Sequence, residues 1–287
     1  MPSLIDLRRR IRSVRNTQQI TKAMKMVSAA KLRRAQERVV AARPYSASMA
    51  QMLSNVITAI ADAGDEATSA LMMDRPEKRI QVILITSDRG LAGAFNSNLN
   101  RGAQHFMMER QATSTVEIEA LGRKGRDYFR KRGFTISGEY LHVTFKPSYE
   151  VAQRVAKKVT ERLLNDEIDA VYLIYNEFKS VMSQKLAIHK ILPVTPPEGG
   201  QRVDYIFEQP PAEILATMLP RYVEVQIYTA ILETTAAEHA ARMTAMDSAS
   251  SNAADVIEKL TLHLNRVRQA TITREIIEVV SGASALE

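Results

Sequence analysis

The segment from Arg221 to Ser281 contains neither Gly nor Pro over 61 residues, and this constrains the fold more than any other feature. As one α-helix it would extend about 90 Å, at 1.5 Å per residue. A helix of that length cannot bury itself inside a globular domain, so it needs another long helix as its partner. The N-terminal segment is the candidate. We therefore expect the two chain ends to form one antiparallel coiled coil.

The first sixty residues show the apolar spacing of a coiled-coil helix, alternately three and four residues. Pro44 predicts a kink or a local break, and a register shift between Thr17 and Lys22 predicts a local change of supercoil. The predicted N-terminal seam is Leu4, Leu7, Ile11, Val14, Ile20, Met24, Val27, Leu32, Ala35, Val39, Ala42, Met49, Leu53, Val56 and Ile60. The predicted C-terminal seam is Tyr222, Val225, Thr229, Leu232, Ala236, Met243, Met246, Ala253, Ile257, Leu260, Leu264 and Val267. The C-terminal helix is the longer, so part of it should project alone.

Between these helices, short apolar runs alternate with helical spacing, which predicts an α/β fold: an inserted Rossmann-like domain with a mostly parallel sheet. The run from Ile80 to Thr86 is continuously apolar, as expected for a strand buried on both faces. The last two runs are close enough to form a hairpin. The predicted organisation is a coiled-coil helix over 1–61, a linker over 62–78, the α/β domain over 79–200 and a second coiled-coil helix over 201–287.

Composition excludes several classes of function. The chain has no cysteine, which excludes disulfides, zinc–thiolate sites and thiol catalysis. The five histidines lie far apart, without the spacing of metal ligands, and no apolar run approaches the roughly 18 residues of a membrane span. Residues 1–43 carry 12 Lys+Arg against 2 Asp+Glu. This basic arm is compatible with a solvated helix face, with docking to acidic protein loops, or with nucleic-acid binding.

Gly90 and Gly93 follow the first strand in the sequence SDRGLAGAFN, the usual position of a phosphate-binding loop. A loop of the GxxxxGK[ST] type needs a Lys and a hydroxyl group after its last glycine, whereas Ala94 and Phe95 follow Gly93. The pattern therefore favours a tight turn from strand to helix, with Asn96 or Ser97 as the helix cap. A nucleotide-dependent enzyme is the less favoured alternative.

Three motifs, in this order, resemble those of the gamma chains of bacterial F-type ATP synthases. They are IRSVRNTQQITKAMKMVSAAKLRRAQ (residues 11–36), SDRGLAGAFN (87–96; usually SDRGLCGGFN) and ITREIIEVVSGASAL (272–286). The resemblance implies a rotating central stalk that couples ion flow through a membrane ring of c subunits to ATP synthesis or hydrolysis. The implied partners are three alpha and three beta subunits, an epsilon chain and the c ring, at the cytoplasmic face of the bacterial inner membrane.

The resemblance also implies which residues contact these partners. The positions that match contacts with beta are Met24, Lys25, Arg268, Gln269, Thr273 and Glu275. The first two correspond to a segment facing an acidic lever loop of beta, the next two to contacts with a catch loop, and the last two to the C-terminal signature. Tyr205 matches the region near epsilon and the c ring. No catalytic, metal-binding or cofactor-binding residue is implied, because nucleotides bind on alpha and beta in that family.

The rival interpretation is a basic coiled-coil protein that binds nucleic acid through the arm at residues 1–43. It predicts a steep salt dependence of binding to duplex DNA. The arm lacks interleaved aromatic side chains and any known base-reading module. The family resemblance described above likewise implies that the chain has no nucleic-acid partner.

Overall fold

The structure, a computed structural model, describes residues 4–62, 69–195 and 209–284. The elements in chain order are α1 (Leu4–Asp62), β1 (Arg79–Ile85), α2 (Phe95–Gln111), β2 (Thr115–Leu121), α3 (Arg123–Arg130), β3 (Thr135–Tyr140), α4 (Tyr149–Leu164), β4 (Ala170–Phe178), β5 (Gln184–Leu192) and α5 (Pro211–Ser284). They divide into two compact units. One combines α1 up to Ser28 with α5 from Met243 onward, and the other runs from Ala29 to Arg242.

The unit from Ala29 to Arg242 contains the predicted α/β sheet. Its strand order is β3-β2-β1-β4-β5, with parallel pairing except between β4 and β5, which form the predicted antiparallel hairpin. Six of the seven residues of β1 are buried, as its continuous apolar run predicts. Alternate β1 side chains enter two hydrophobic clusters, one with α2 and α3 and the other with α4, α5 and the end of α1. The predicted fold class is confirmed.

The unit made by the chain ends is an antiparallel helix pair. Thr21 Oγ1 lies 2.9 Å from Ser250 Oγ, and Lys25 Nζ lies 2.5 Å from Asp247 Oδ1. Advancing along α1 therefore means moving backward along α5, which confirms the predicted antiparallel arrangement. Gln18 Nε2 also donates a hydrogen bond to the Ser250 carbonyl, at 3.4 Å.

The predicted register shift in α1 is wrong. Ile20 and Val27 are 60% and 56% exposed, whereas their polar neighbours Thr21 and Ser28 are 8% and 3% exposed. One row of buried and half-buried positions, spaced alternately three and four residues apart, continues without interruption: Leu7, Ile11, Val14, Gln18, Thr21, Lys25, Ser28, Leu32, Ala35 and Val39. Small hydroxyl side chains thus continue the seam, because they fit between close helices, and Thr21 also bonds across the pair to Ser250. Ser250 fills the corresponding position on α5, between Met246 and Ala253.

Two prolines lie inside the long helices. Helix α1 is continuous through Pro44, so the predicted possibility of a local break is wrong. Helix α5 begins at Pro211 rather than near Arg221 and passes through Pro220. An interior proline removes one backbone hydrogen bond, but the helix around Pro220 is held by the buried side chains of Leu219 and Val223.

The seam position of Ser28 can be tested against that of Val27. We expect S28K to lower the free energy of unfolding by about 2 kcal/mol or more, because a long charged side chain must enter a packed seam. V27K should change it by less than about 0.5 kcal/mol, as for an exposed site. Urea unfolding of both variants measures the difference. A larger loss in V27K would restore the apolar register predicted from the sequence.

Candidate functional site

The residues predicted to contact beta fall into two groups along the helix pair. Met24 and Lys25 are half-buried on α1, and the Lys25 side chain is 41% exposed while it pairs with Asp247. Arg268, Gln269, Thr273 and Glu275 are all exposed on α5. The second group starts about 30 Å along α5 from Asp247, at 1.5 Å per residue. The structure therefore offers two separate surfaces, and Tyr205 lies outside the described residues.

The last described turns of α5 project without burial, as the sequence predicts. Every described side chain from Ile272 to Ser281 is exposed. Ile276 and Ile277 are 58% and 59% exposed, and Val279 is 72% exposed. A helix that leaves such side chains open to solvent has a surface suited to a partner.

The SDRGLAGAFN segment forms a loop between β1 and α2. Asn96 does not cap α2, which begins at Phe95 with Ala94 as its N-cap and no capping side chain. Instead the Asn96 side chain accepts a hydrogen bond from the Ser87 backbone N–H, at 3.2 Å. The capping prediction for Asn96 or Ser97 is therefore wrong, because the amide side chain is used to close the loop. Within the loop, Leu91 adopts a left-handed φ of 62°, which is unfavourable for a branched side chain.

Helix α5 covers the carboxyl edge of the sheet at this loop. The sheet order reverses between β1 and β4, and in doubly wound folds ligands bind at the carboxyl ends of the strands beside such a reversal. Here the Arg242 guanidinium donates to the Gly90 carbonyl at 3.3 Å and to the Glu238 carboxylate at 2.6 Å. The Arg242 side chain thus hydrogen-bonds to the loop backbone at the place that a nucleotide would approach.

A second contact lies on the β4 side of the point where the strand order reverses. The Arg43 guanidinium donates to the Phe178 carbonyl, at the end of β4, over 3.5 Å, and lies 3.5 Å from the Glu233 carboxylate. Sequence reasoning missed Glu233, Glu238 and Arg242, because i,i+4 charges on a helix usually mark a solvated face. The Ala-rich sequence that contains them, ETTAAEHAAR, is the feature of the sequence that indicates close packing of this part of the helix.

Burial shifts the titration of two groups at this edge. Burial, together with the smaller effect of the positive charges of Arg242 and Lys31, lowers the pKa of His239 to about 4. Burial also raises the pKa of Glu233, while the Arg43 charge opposes that rise. At neutral pH the imidazole of His239 is therefore uncharged beside Arg242, with its Nδ1 3.5 Å from Nη1.

The described part of the chain, residues 4–62, 69–195 and 209–284, offers neither a metal site nor a membrane span. Within it, no group of three or more His, Asp or Glu side chains could hold a metal ion. None of the helices there is long and apolar enough to cross a membrane.

Comparison with known proteins gives full-length matches. The ATP synthase family profile matches residues 3–286. An ATP synthase gamma chain of Solibacter usitatus is 59% identical, with all of both chains covered. A chain in the central stalk and c-ring structure of the Tetrahymena thermophila mitochondrial ATP synthase is 25% identical, with a TM-score of 0.61 over 80% of this chain and 99% of that one. A chain in a Euglena gracilis mitochondrial ATP synthase structure shares the fold, with 20% identity and a TM-score of 0.68 over 99% of this chain and 94% of that one.

The lowered pKa of His239 predicts a pH-dependent stability. The unfolded imidazole, with a pKa of about 6.5, binds a proton between about pH 6.5 and pH 4 that the folded one does not. His239 therefore contributes stability above about pH 6.5 that is lost as the pH falls towards 4. Between about pH 7 and pH 4.5 the free energy of unfolding falls, and we expect H239Q to make this fall smaller by roughly 1–3 kcal/mol.

Urea unfolding at both pH values measures this loss. The matched control is H105Q, since the His105 side chain is 79% exposed, and it should leave the wild-type pH dependence in place. Equal pH dependence in H239Q and the wild type would contradict the assignment.

Proposed function

Since the chain belongs to the ATP synthase gamma chain family, we propose that it is the rotating central-stalk subunit of a bacterial F-type ATP synthase. In this role it couples ion flow through a membrane c ring to ATP synthesis or hydrolysis on the alpha and beta subunits. The observation that carries the proposal is the full-length match to a gamma chain, 59% identical over 287 residues. No observation supports the nucleic-acid-binding alternative.

The helix pair suits a shaft that turns inside a ring of three alpha and three beta subunits. One asymmetric shaft presents a different face to each beta subunit at any instant. Differential contacts then favour a different conformation in each catalytic site. The uninterrupted seam of α1 from Leu7 to Val39 supports a stiff helix pair. The exposed end of α5 beyond Ile272 is the part that such a ring would enclose.

The two surfaces on the helix pair take different roles in this proposal. Lys25, with Met24 beside it, faces the acidic lever loop of beta, and its pairing with Asp247 holds the ammonium group in place. Arg268 and Gln269 contact the catch loop, and Thr273 and Glu275 lie within the enclosed end. Tyr205 is proposed to contact epsilon or the c ring.

The chain is proposed to be a non-catalytic subunit that binds no cofactor. Arg43, Glu233, Glu238 and Arg242 support this, because their contacts occupy the edge of the sheet where a nucleotide would bind. Membrane association arises through the complex, at the cytoplasmic face of the bacterial inner membrane. One copy is present in each complex, with epsilon and the c ring as its other partners.

Reconstitution tests the function. The chain, mixed with purified alpha and beta subunits, should form a single complex of three alpha, three beta and one of this chain. Deletion of residues 270–287 should lower ATPase activity about tenfold or more, because the enclosed end supplies the differential contacts. Size-exclusion chromatography with light scattering and an ATPase assay measure both. A chain that elutes alone, with activity independent of it, would overturn the proposal.

Nucleotide titration tests the non-catalytic role. The isolated chain should give no saturable heat with ATP or ADP up to about 1 mM, a concentration at which even weak specific sites fill. The same titration is made with R242M, which removes the hydrogen bond from Arg242 to the Gly90 carbonyl at the carboxyl edge of the sheet. Saturable binding by the wild-type chain would show that the edge is accessible and that the chain carries a nucleotide site of its own.

A further inference from the structure

Helix α5 places two buried carboxylates against the carboxyl edge of the sheet. Glu233 and Glu238 are 6% and 4% exposed, and each has an arginine at its Oε1 atom, Arg43 and Arg242 respectively. The other oxygen of each carboxylate is buried without a hydrogen-bond partner among the described residues. Buried carboxylates with incomplete hydrogen bonding are costly. Their presence at one edge therefore points to a role other than stability.

Each arginine continues from its carboxylate to a backbone carbonyl of the sheet. Arg242 reaches Gly90, in the loop after β1, and Arg43 reaches Phe178, the last residue of β4. Strands β1 and β4 are neighbours and parallel, so the two contacts hold both sides of the reversal. We call them the carboxyl-edge clamps: Glu238–Arg242–Gly90 and Glu233–Arg43–Phe178. Through Arg242 of α5 and Arg43 of α1, which pairs with Glu233 of α5, the helices take the place that a ligand has in other doubly wound folds.

Resting on the function proposed above, we propose that the carboxyl-edge clamps form the joint that passes torque between α5 and the α/β domain. Glu233, Glu238, Arg43 and Arg242 are positioning residues of that joint. Apolar contacts also hold α5 to the sheet, but hydrophobic attraction is non-directional. Charge-assisted hydrogen bonds to backbone carbonyls are directional and fix the register of one element on another. A turning α5 consequently pulls on both loops at once.

Hydrogen exchange of the full-length chain tests whether the clamps hold the loops. R242M should speed exchange of the amides at 87–94 about tenfold or more, and R43M should do so at 178–183, because each loses a hydrogen bond to a charged group. E238Q/R242M should exchange as fast as R242M while recovering thermal stability, since no unpaired buried charge remains. R242K should be intermediate, because it keeps the positive charge but replaces the preorganised planar guanidinium with a more strongly hydrated ammonium group.

The role in torque is tested in the complete membrane complex. The number of ions pumped per ATP hydrolysed should fall about twofold or more in R43M/R242M, a typical loss for residues that carry coupling. The matched control is K157M, which breaks the exposed i,i+4 pair Lys157–Glu161 on α4 and should match the wild type in both assays. Unchanged loop exchange, or an unchanged pumping ratio with faster exchange, would overturn the joint.

The same experiments separate this proposal from the function on which it rests. A wild-type chain that supports no ATP-driven pumping in the complex would overturn the rotor function, and the torque joint with it. A wild-type chain that pumps, alongside variants with wild-type exchange and pumping ratio, would overturn the joint and leave the rotor function standing.

Discussion

The structure depends on the pairing of the two chain ends through a seam that tolerates polar side chains. From Leu7 to Val39 the seam positions of α1 alternate by three and four residues, and Thr21 and Ser28 occupy them as fully as Leu32 does. Both hydroxyl side chains give up apolar area, and Thr21 gains a bond across the helix pair to Ser250. Such polar positions specify register at some cost in stability. The surfaces proposed to contact partners lie at fixed positions along the helix pair only if α1 and α5 pair in a single register.

The sheet could be predicted from the sequence because short apolar runs, of which β1 is the clearest, alternate with segments of helical spacing. The hairpin β4–β5 and the helix-covered parallel strands follow from that pattern. The seam near Thr21 could not be predicted in the same way, since Ile20 and Val27 offered an apolar stripe one residue away. Nor does local sequence reveal that α5 continues through Pro220, where tertiary packing overrides a strong helix-breaking preference.

The functional residues were predictable to a different degree. Met24, Lys25 and the positions at the end of α5 came from motif resemblance, since their side chains alone read as ordinary helix surface. The carboxyl-edge clamps carry no motif. Glu238 and Arg242 look like a solvated i,i+4 pair until the fold shows their side chains to be 5% and 10% exposed. That the loop of SDRGLAGAFN binds no phosphate stays a prediction, made from the residues that follow its glycines.

The exposed apolar end of α5 has a consequence for the lifetime of the free chain. In the function proposed above, Ile276, Ile277 and Val279, which are all more than half exposed, stay uncovered until a ring of other subunits closes around them. Before assembly, these exposed apolar side chains promote aggregation with other newly made chains, and the segment is accessible to proteases. Binding partners stabilise by mass action, so under this proposal the supply of those subunits, more than the stability of this fold, sets how much of the chain accumulates. The segment proposed for coupling would thereby also match the amount of this chain to the amount of its partner subunits.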